Sequence, residues 1–160
     1  MVLLLKNLIF TLLVPGTIAV GVPWLIAPER DPASAPVFAV AAALLAVGGA
    51  IYAWCAWDFA VSGRGTPLPI DAPRTLVVRG LYRCTRNPMY AGVLLVILGW
   101  AVMFRSWSLL AYAACVATCF HLFIVLYEER HLRREFGKQY DEYCARVGRR
   151  VPGLNRGRAA

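Results

Sequence analysis

The sequence predicts an all-α integral membrane protein with four transmembrane helices and a C-terminal interfacial amphipathic helix. Three observations indicate this fold class. The 160 residues are 59% hydrophobic with a positive mean hydropathy, which is a membrane composition on a chain of single-domain length. Four uncharged runs each approach the roughly 20 residues that a helix needs to cross about 30 Å of hydrocarbon. The segment after the last run is charged but carries apolar residues on one helical face.

The four predicted transmembrane helices cover residues 8–27, 36–57, 87–104 and 107–127. The first contains Pro15, Gly16 and Pro23, so we expect it to be kinked, with neighbouring helices satisfying the freed backbone groups. Lys6 lies inside the first hydrophobic stretch, and no small-x-small cleavage site follows a short apolar segment. Both features favour a retained first helix over a cleaved signal peptide.

The net charge of +8 is distributed unevenly along the chain. With the N-terminus in the cytoplasm, fifteen of the 17 basic residues fall on the cytoplasmic side: Lys6, five within residues 64–86 and nine within residues 130–158. Only Arg30 and Arg105 fall outside. This asymmetry predicts that both termini are cytoplasmic, and with the short length it suits a bacterial inner-membrane protein. The basic surface should then face anionic headgroups or an anionic small molecule rather than nucleic acid.

Two segments are predicted to lie outside the membrane. Residues 58–86 form a cytoplasmic connection with several turn signals, and a structureless loop of that length in a small protein is usually functional. Residues 128–147 are predicted to form one basic amphipathic helix along the headgroup boundary, either as part of a site or only as an anchor. The tail, residues 148–160, is expected to add no regular element. The apolar face of the amphipathic helix consists of Leu132, Phe136, Tyr140, Tyr143 and Val147.

The start of the third predicted helix resembles an anion site. Asn87 is a good N-cap, and Pro88 occupies the first turn without removing a needed donor. Free amides and the helix dipole are positive there, and Arg83 and Arg86 immediately precede it. The arginines bind either an anionic ligand or lipid phosphates, and the sequence leaves both possibilities open.

The end of the fourth predicted helix brings acidic groups to the same depth. Residues 88–104 and 107–127 are joined by a tight turn and span roughly 25 and 31 Å at 1.5 Å per residue, so Glu128 and Glu129 should lie near Arg86. Several tyrosines occur in the same region. A zwitterionic ligand with a flat ring would suit this environment, and a salt-bridged helix end without a ligand is the alternative.

Other chemistries lack their residues. The five cysteines are odd in number and have no C-x-x-C spacing, so neither a disulfide framework nor a zinc site is predicted. There is no Walker loop and no G-x-G-x-x-G. His121 and His131 are the only histidines, too few for a membrane di-iron site, and Glu128-x-x-His131 is half of a di-iron motif without a second copy. No metal is expected. We interpret His121 as a buried packing or hydrogen-bonding residue.

Two spaced motifs carry a resemblance to a known family. "GLYRCTRNPMYAG", an apolar hairpin and "YEERHLRREFGKQYDEYCARVGRRVPGL" resemble the isoprenylcysteine carboxyl methyltransferase and phospholipid methyltransferase superfamily. The resemblance covers about half of the chain. It implies a membrane methyltransferase that uses S-adenosylmethionine and methylates a membrane lipid or small hydrophobic acceptor through a carboxylate, amine or thiol.

The resemblance also assigns residues to roles. It implies that Arg146 and Glu129 take part in catalysis, with Arg149 or Arg150 as further candidates for orienting an acidic substrate. Eukaryotic carboxyl methyltransferases of this family carry His at the position of Asn87, so prenylcysteine is not the expected acceptor. The cofactor-binding residues that it implies are Tyr82, Arg86, Asn87, Pro88, Tyr90, Gly92, Glu128 and Glu129.

Two alternatives to this function remain at the level of sequence. Membrane sterol reductases share a related helical architecture and bind a nicotinamide cofactor. A non-enzymatic membrane protein whose basic face binds lipid or a partner is the other alternative, and it would tolerate substitution of Glu128 and Glu129. The sequence leaves the oligomeric state open.

Overall fold

The computed structural model describes residues 11–27, 34–63 and 76–149, and every regular element in these ranges is helical. The all-helical expectation is therefore confirmed for this part of the chain. Residues 8–10, residues 64–75 of the 58–86 connection and the tail from residue 150 lie outside the described residues. The helices are α1 (π-helical over Leu12–Gly21, α-helical over Val22–Ile26), α2 (Ala35–Asp58), α3 (Pro88–Met103), α4 (Trp107–Phe136) and α5 (Lys138–Arg146).

The irregularity expected of the first helix takes the form of π-helical winding. Pro15 has no amide hydrogen to donate, and the Val22 amide donates to the Thr17 carbonyl five residues back. Neighbouring helices support this winding from the side. The Tyr112 hydroxyl donates to the Ile18 carbonyl at 2.9 Å, which joins α4 to α1.

Glycines allow α2 and α3 to approach closely. A Cβ placed on Gly48 would lie 2.7 Å from the Gly92 carbonyl oxygen, and one on Gly92 would lie 2.9 Å from the Gly48 carbonyl oxygen. Further along the same contact, a Cβ on Gly99 would lie 2.8 Å from Leu45 Cγ. The two backbones therefore touch at the crossing, as in small-residue contacts between membrane helices.

The fourth helix is longer than the sequence predicted. It continues without a break past residue 127, through Glu128 and Glu129, to Phe136. The prediction of one amphipathic helix over residues 128–147 is wrong. Gly137 has φ +50°, a conformation that ends a right-handed helix, and α5 then starts in a new direction.

The apolar face of the amphipathic segment packs on the protein itself. Tyr140, Tyr143 and Val147 are buried in a cluster with Leu76 and Phe136. Protein therefore covers three of the five side chains on the predicted apolar face, while Leu132 and Phe136 are only partly buried. The interfacial position of this segment stays a prediction.

Both described ends of the long connection contain helical turns. Helix α2 continues as a π-helical turn over Phe59–Gly63, and Gly80–Arg83 form a 3₁₀ turn. Gly80 has φ +54° and packs against Asp58 and Trp54, leaving no room for a Cβ. This contact holds the connection against the end of α2, so the prediction of a structureless loop is wrong at both ends.

The outer surface of the bundle is strongly apolar. Ala35–Val61 and Trp107–Phe136 are long and apolar enough to cross a membrane, whereas Leu13–Ile26 and Pro88–Met103 are shorter. In the two long helices the most apolar windows are only 11% and 22% buried. Most of their apolar surface therefore faces outward, which suits lipid better than water. Four membrane crossings remain a prediction.

Candidate functional site

Four helices enclose a small cavity at one end of the bundle, which we name the inner cavity. Its volume is about 100 Å³. Helix α1 contributes apolar residues, while α2, the 3₁₀ turn, α3 and α4 contribute aromatic and charged ones. The N-terminal part of α1, the end of α2 and the start of α3 all meet here. The aromatic and polar lining consists of Tyr52, Phe59, Tyr82, Arg86, Asn87, Tyr90, Phe120 and Glu128.

Arg86 and Glu129 form the charged centre beside this cavity. Arg86 Nη1 lies 3.3 Å from Glu129 Oε1 and also donates to Cys144 Sγ at 2.9 Å. The side chains of Arg86 and Glu129 are only 13% and 17% exposed, so solvent screens their attraction less than at the surface. Arg86 Nε is buried and has no hydrogen-bond partner among the described residues. This cation therefore retains an unused donor.

Arg149 completes the ion-pair network from the C-terminal side. Its Nε and Nη2 donate to the two oxygens of Glu129 at 2.7 Å each, a bidentate arrangement that is stronger than a single contact. Hydrogen bonding to Glu129 raises the pKa of Arg149. Glu129 thus holds two arginines in fixed positions.

The segment that carries Arg149 is tied to the residues before α3. The Arg86 amide donates to the Gly148 carbonyl at 3.1 Å, and Thr85 Oγ1 donates to the Arg149 carbonyl at 3.0 Å. Asn87 Nδ2 lies 3.5 Å from the same Arg149 carbonyl. Asn87 makes no side-chain cap on α3, so the predicted capping bond is wrong, although Pro88 does occupy the first turn as expected.

Glu128 points into the inner cavity one residue before Glu129. Its Oε2 accepts a hydrogen bond from the Tyr90 hydroxyl at 2.8 Å. The Tyr90 ring contacts that of Phe120 with centroids 4.7 Å apart. The two consecutive glutamates therefore differ in surroundings: Glu128 faces an aromatic cavity, and Glu129 faces two arginines.

A second cavity lies on the other side of the Tyr90–Phe120 contact, and we name it the α3–α4 cavity. Its volume is about 370 Å³. Asn87, Tyr90 and Phe120 line both cavities, so one layer of side chains separates them. Its other lining residues are Thr85, Ala91, Leu94, Ala117, His121, Ile124 and Arg149.

Two buried tyrosines, Tyr82 and Tyr143, connect α5 to the wall of the inner cavity. The Tyr143 hydroxyl donates to the Tyr82 carbonyl at 2.7 Å, which connects α5 to the 3₁₀ turn. Burial raises the pKa of both phenols, so both are protonated at neutral pH. The Tyr82 ring lines the inner cavity, and α5 thereby fixes part of the cavity wall.

The structure brings most of the predicted site residues together, with two exceptions. Tyr82, Arg86, Asn87, Tyr90 and Glu128 line the inner cavity, and Glu129 holds Arg86. Pro88 is buried in the first turn of α3.

The exceptions are Gly92 and Arg146. Gly92 faces Gly48 at the α2–α3 contact, so helix packing explains it. Arg146 is exposed, its Nε donates to the Glu142 carbonyl at 3.3 Å, and it lines a separate surface cavity with Phe136. Arg149, the further candidate for orienting an acidic substrate, lies beside Glu129 instead, because α5 ends at residue 146 and the chain then turns back toward α3.

Sequence reasoning missed Tyr52 and Phe120 as lining residues. Both lie within long apolar runs without a local polar motif, so only their placement across the bundle reveals them. Among the described residues no group of three or more His, Cys, Asp or Glu side chains could hold a metal ion.

The fold and site together define a helical protein with a lipid-compatible surface and a charged, aromatic site at one end. The chain belongs to the phospholipid methyltransferase family, which matches residues 36–139. This match confirms the resemblance to the isoprenylcysteine carboxyl methyltransferase and phospholipid methyltransferase superfamily. Neither the reductase nor the non-enzymatic alternative is favoured by it.

Curated relatives come from the isoprenylcysteine side of this superfamily. The chain is 41% identical over 81 residues to protein-S-isoprenylcysteine O-methyltransferase B of Arabidopsis thaliana, a match covering 50% of this chain and 41% of that protein. It is 36% identical over 78 residues to a probable protein-S-isoprenylcysteine O-methyltransferase of Oryza sativa subsp. indica, covering 48% and 40%. The chain thus matches less than half the length of these relatives. They are plant proteins and lend no support to a bacterial source. No solved structure matches the chain.

Proposed function

We propose that the protein transfers a methyl group from S-adenosylmethionine to a membrane lipid or small hydrophobic acceptor at the cytoplasmic interface. Family membership supports the reaction class. The observation that carries the site is the inner cavity, where Arg86, Glu128 and several aromatic rings converge. S-adenosylmethionine carries a carboxylate, an ammonium group, ribose hydroxyls and an adenine ring, and each has a complementary group here.

The charged residues suit the cofactor's amino-acid end. Arg86 has a buried, unpartnered Nε among the described residues, and a carboxylate would satisfy it. Glu128 is an acceptor for an ammonium group or ribose hydroxyls, with Tyr90 orienting its carboxylate. Glu129 keeps Arg86 and Arg149 in place. The positions of Tyr82 and Asn87 in the cavity wall support cofactor-binding roles for them.

The size of the inner cavity sets a condition on this proposal. Ligand pockets usually measure about 300–1,000 Å³, whereas this cavity measures about 100 Å³. Binding a ligand as large as S-adenosylmethionine therefore requires side chains to move. Arg86 Nε is itself buried, so a carboxylate can reach it only after such a movement.

Methyl transfer requires the acceptor to be aligned with the methyl group, and it does not require a metal. When bound, the cofactor would supply an electrophilic methyl group on a sulfonium, which an acceptor's lone pair would attack in line with the thioether as leaving group. This chain's contribution is to position the acceptor against that methyl and to exclude water. A carboxylate acceptor needs no base, whereas an amine or thiol must release a proton.

The proposed topology has four crossings with both termini cytoplasmic. The inner cavity gathers the start of α1, the end of α2, the start of α3 and the Glu128 region of α4, as alternating helix directions require. At 1.5 Å per residue the 16 residues of α3 span roughly 24 Å, so local bilayer thinning or flanking residues would complete that crossing. A bacterial inner membrane remains a prediction.

Calorimetric titration of detergent-purified protein tests the function. We expect S-adenosylmethionine to bind with about micromolar Kd and NADPH, titrated in parallel, not to bind. Glu128→Gln should weaken S-adenosylmethionine binding by about tenfold or more, because a hydrogen bond to a charged group is worth roughly 1.5–3 kcal/mol. Glu135→Gln, an exposed glutamate on the same helix, is the matched control. Binding of NADPH alone, or of neither ligand to folded protein, would refute the proposal.

A comparison of two ligands, each titrated into wild-type protein and into one variant, tests the role of Arg86. Arg86→Ala should weaken S-adenosylmethionine binding but leave the affinity for its decarboxylated analogue unchanged, because only the first ligand offers a carboxylate. Equal losses for both ligands would contradict the carboxylate assignment without contradicting cofactor binding itself.

A further inference from the structure

The α3–α4 cavity has the size and lining of a ligand site that the proposed cofactor does not account for. Its volume of about 370 Å³ falls within the roughly 300–1,000 Å³ of small-molecule pockets. Facing stripes of α3 and α4 form its walls, with Leu94, Ala117 and Ile124 among the apolar residues. Such a wall suits a hydrocarbon chain.

Among the residues that α4 contributes to this lining, His121 is the polar one. It belongs to the same stripe of α4 as Ala117 and Ile124, at helical spacing. Its Nδ1 is buried and has no hydrogen-bond partner among the described residues. Buried polar atoms are normally paired, so this imidazole has hydrogen-bonding capacity that the described fold does not use.

The position of His121 relative to the inner cavity indicates which ligand its unpaired nitrogen would meet. Methyl transfer requires the nucleophile and the methyl carbon to approach within about 3–3.5 Å. The wall between the two cavities consists of Asn87, Tyr90 and Phe120, and His121 directly follows Phe120 in the chain. An acceptor in the α3–α4 cavity would thus be separated from a methyl donor in the inner cavity by one layer of movable side chains.

We propose that the α3–α4 cavity binds the methyl acceptor and that His121 hydrogen-bonds its polar group. This inference rests on the proposed function and adds the acceptor's site to it. Arg149 also lines the cavity, so an amphiphile with an anionic or neutral polar group fits there better than a cationic amine. In the transfer, the acceptor's lone pair forms the bond to the methyl carbon as the carbon–sulfur bond breaks, and the sulfonium becomes a neutral thioether.

The chain's two histidines permit a direct test by NMR. Selective nitrogen-15 labelling of histidine gives signals from only two imidazoles, and a His131→Gln variant assigns them. The probes are dodecanoate, a carboxylate amphiphile, and dodecylamine, a cationic amphiphile of the same chain length, each titrated into detergent-solubilised protein. We expect the carboxylate probe to shift the His121 signals saturably, the amine to shift them weakly, and His131 to stay unchanged.

Variants of the cavity wall give the control. Ala117→Phe fills the cavity and should abolish the His121 response, whereas Ala114→Phe, an exposed position on the same helix, should preserve it. His121→Leu should weaken binding of the carboxylate probe by about tenfold and leave the Kd of S-adenosylmethionine unchanged.

The outcomes separate this inference from the proposed function. Absence of a saturable His121 response to either probe would overturn the acceptor site, even if S-adenosylmethionine binds. Displacement of the probe by S-adenosylmethionine would also overturn it, because the cavity would then belong to the cofactor. Failure of S-adenosylmethionine to bind at all would instead contradict the proposed function.

Discussion

Adding one methyl group at Gly48 should destabilise the protein, whereas adding it at the neighbouring Gly49 should not. Both residues lie in the middle of α2, so Gly→Ala improves helix propensity by about 1 kcal/mol at either position. This term cancels when the two variants are compared. The difference in their free energies of unfolding therefore reports the packing of α2 on α3.

The structure sets the size of that difference. A Cβ on Gly48 would lie 2.7 Å from the Gly92 carbonyl oxygen and 2.9 Å from atoms of both Leu95 and Val96, while one on Gly49 would meet nothing within 4 Å. The Gly92 carbonyl belongs to the backbone and cannot rotate away as a side chain would, so α2 and α3 must move apart. Overpacking of this kind costs about 1–3 kcal/mol, and we expect Gly48→Ala to be less stable than Gly49→Ala by that amount.

Unfolding of the detergent-solubilised variants, followed by circular dichroism during a titration with sodium dodecyl sulfate, measures the difference. Equal midpoints for the two variants would refute the close α2–α3 crossing.

Three further predictions concern the region around the site. Gly92→Ala should lower stability in the same assay while leaving the Kd of S-adenosylmethionine unchanged in folded protein, because Gly92 packs on α2; a selective loss of cofactor affinity would restore its predicted binding role. Gly80→Ala should destabilise the fold, since φ +54° and contact with Asp58 oppose a side chain; thermal melting with wild-type stability would contradict this. Tyr143→Phe should cost about 1–3 kcal/mol by leaving the Tyr82 carbonyl without its buried donor. Burial raises the pKa of Tyr143 above the ordinary 10.0, so the native state holds this proton while the unfolded chain loses it above that pH. Wild-type stability should therefore fall above pH 10.0 more steeply than that of Tyr143→Phe, by about 1.4 kcal/mol per pH unit, and parallel curves would argue against a buried phenol.

Local sequence determined where the helices lie and which residues gather at their ends. Uncharged runs and the Pro88 start located α2, α3 and the first part of α4 closely, because run length and first-turn proline are local signals. The tight turn between α3 and α4 also predicted that Glu128 lies near Arg86, and both residues line the inner cavity. That inference needs only helix rise and antiparallel direction.

The amphipathic segment shows where local patterns are insufficient. An apolar stripe reports that a helix face is covered, but it does not distinguish lipid from protein as the cover. Tyr140 and Tyr143 pack on the chain's own connection, which lies more than sixty residues away along the sequence. Similarly, Gly137 carried no local signal strong enough to predict that one helix would become two.

Sequence alone thus determined the all-helical class, the family and most of the predicted residues that meet at the inner cavity, because these depend on composition, periodicity and motif spacing. Tertiary structure decided their roles. It assigned Gly92 to a helix crossing and Arg146 to the surface, and it placed Arg149 against Glu129. It also showed that His121 lines a cavity beside the Tyr90–Phe120 wall. These outcomes depend on how separate helices pack together. Contacts between distant segments produce no periodic pattern in the sequence.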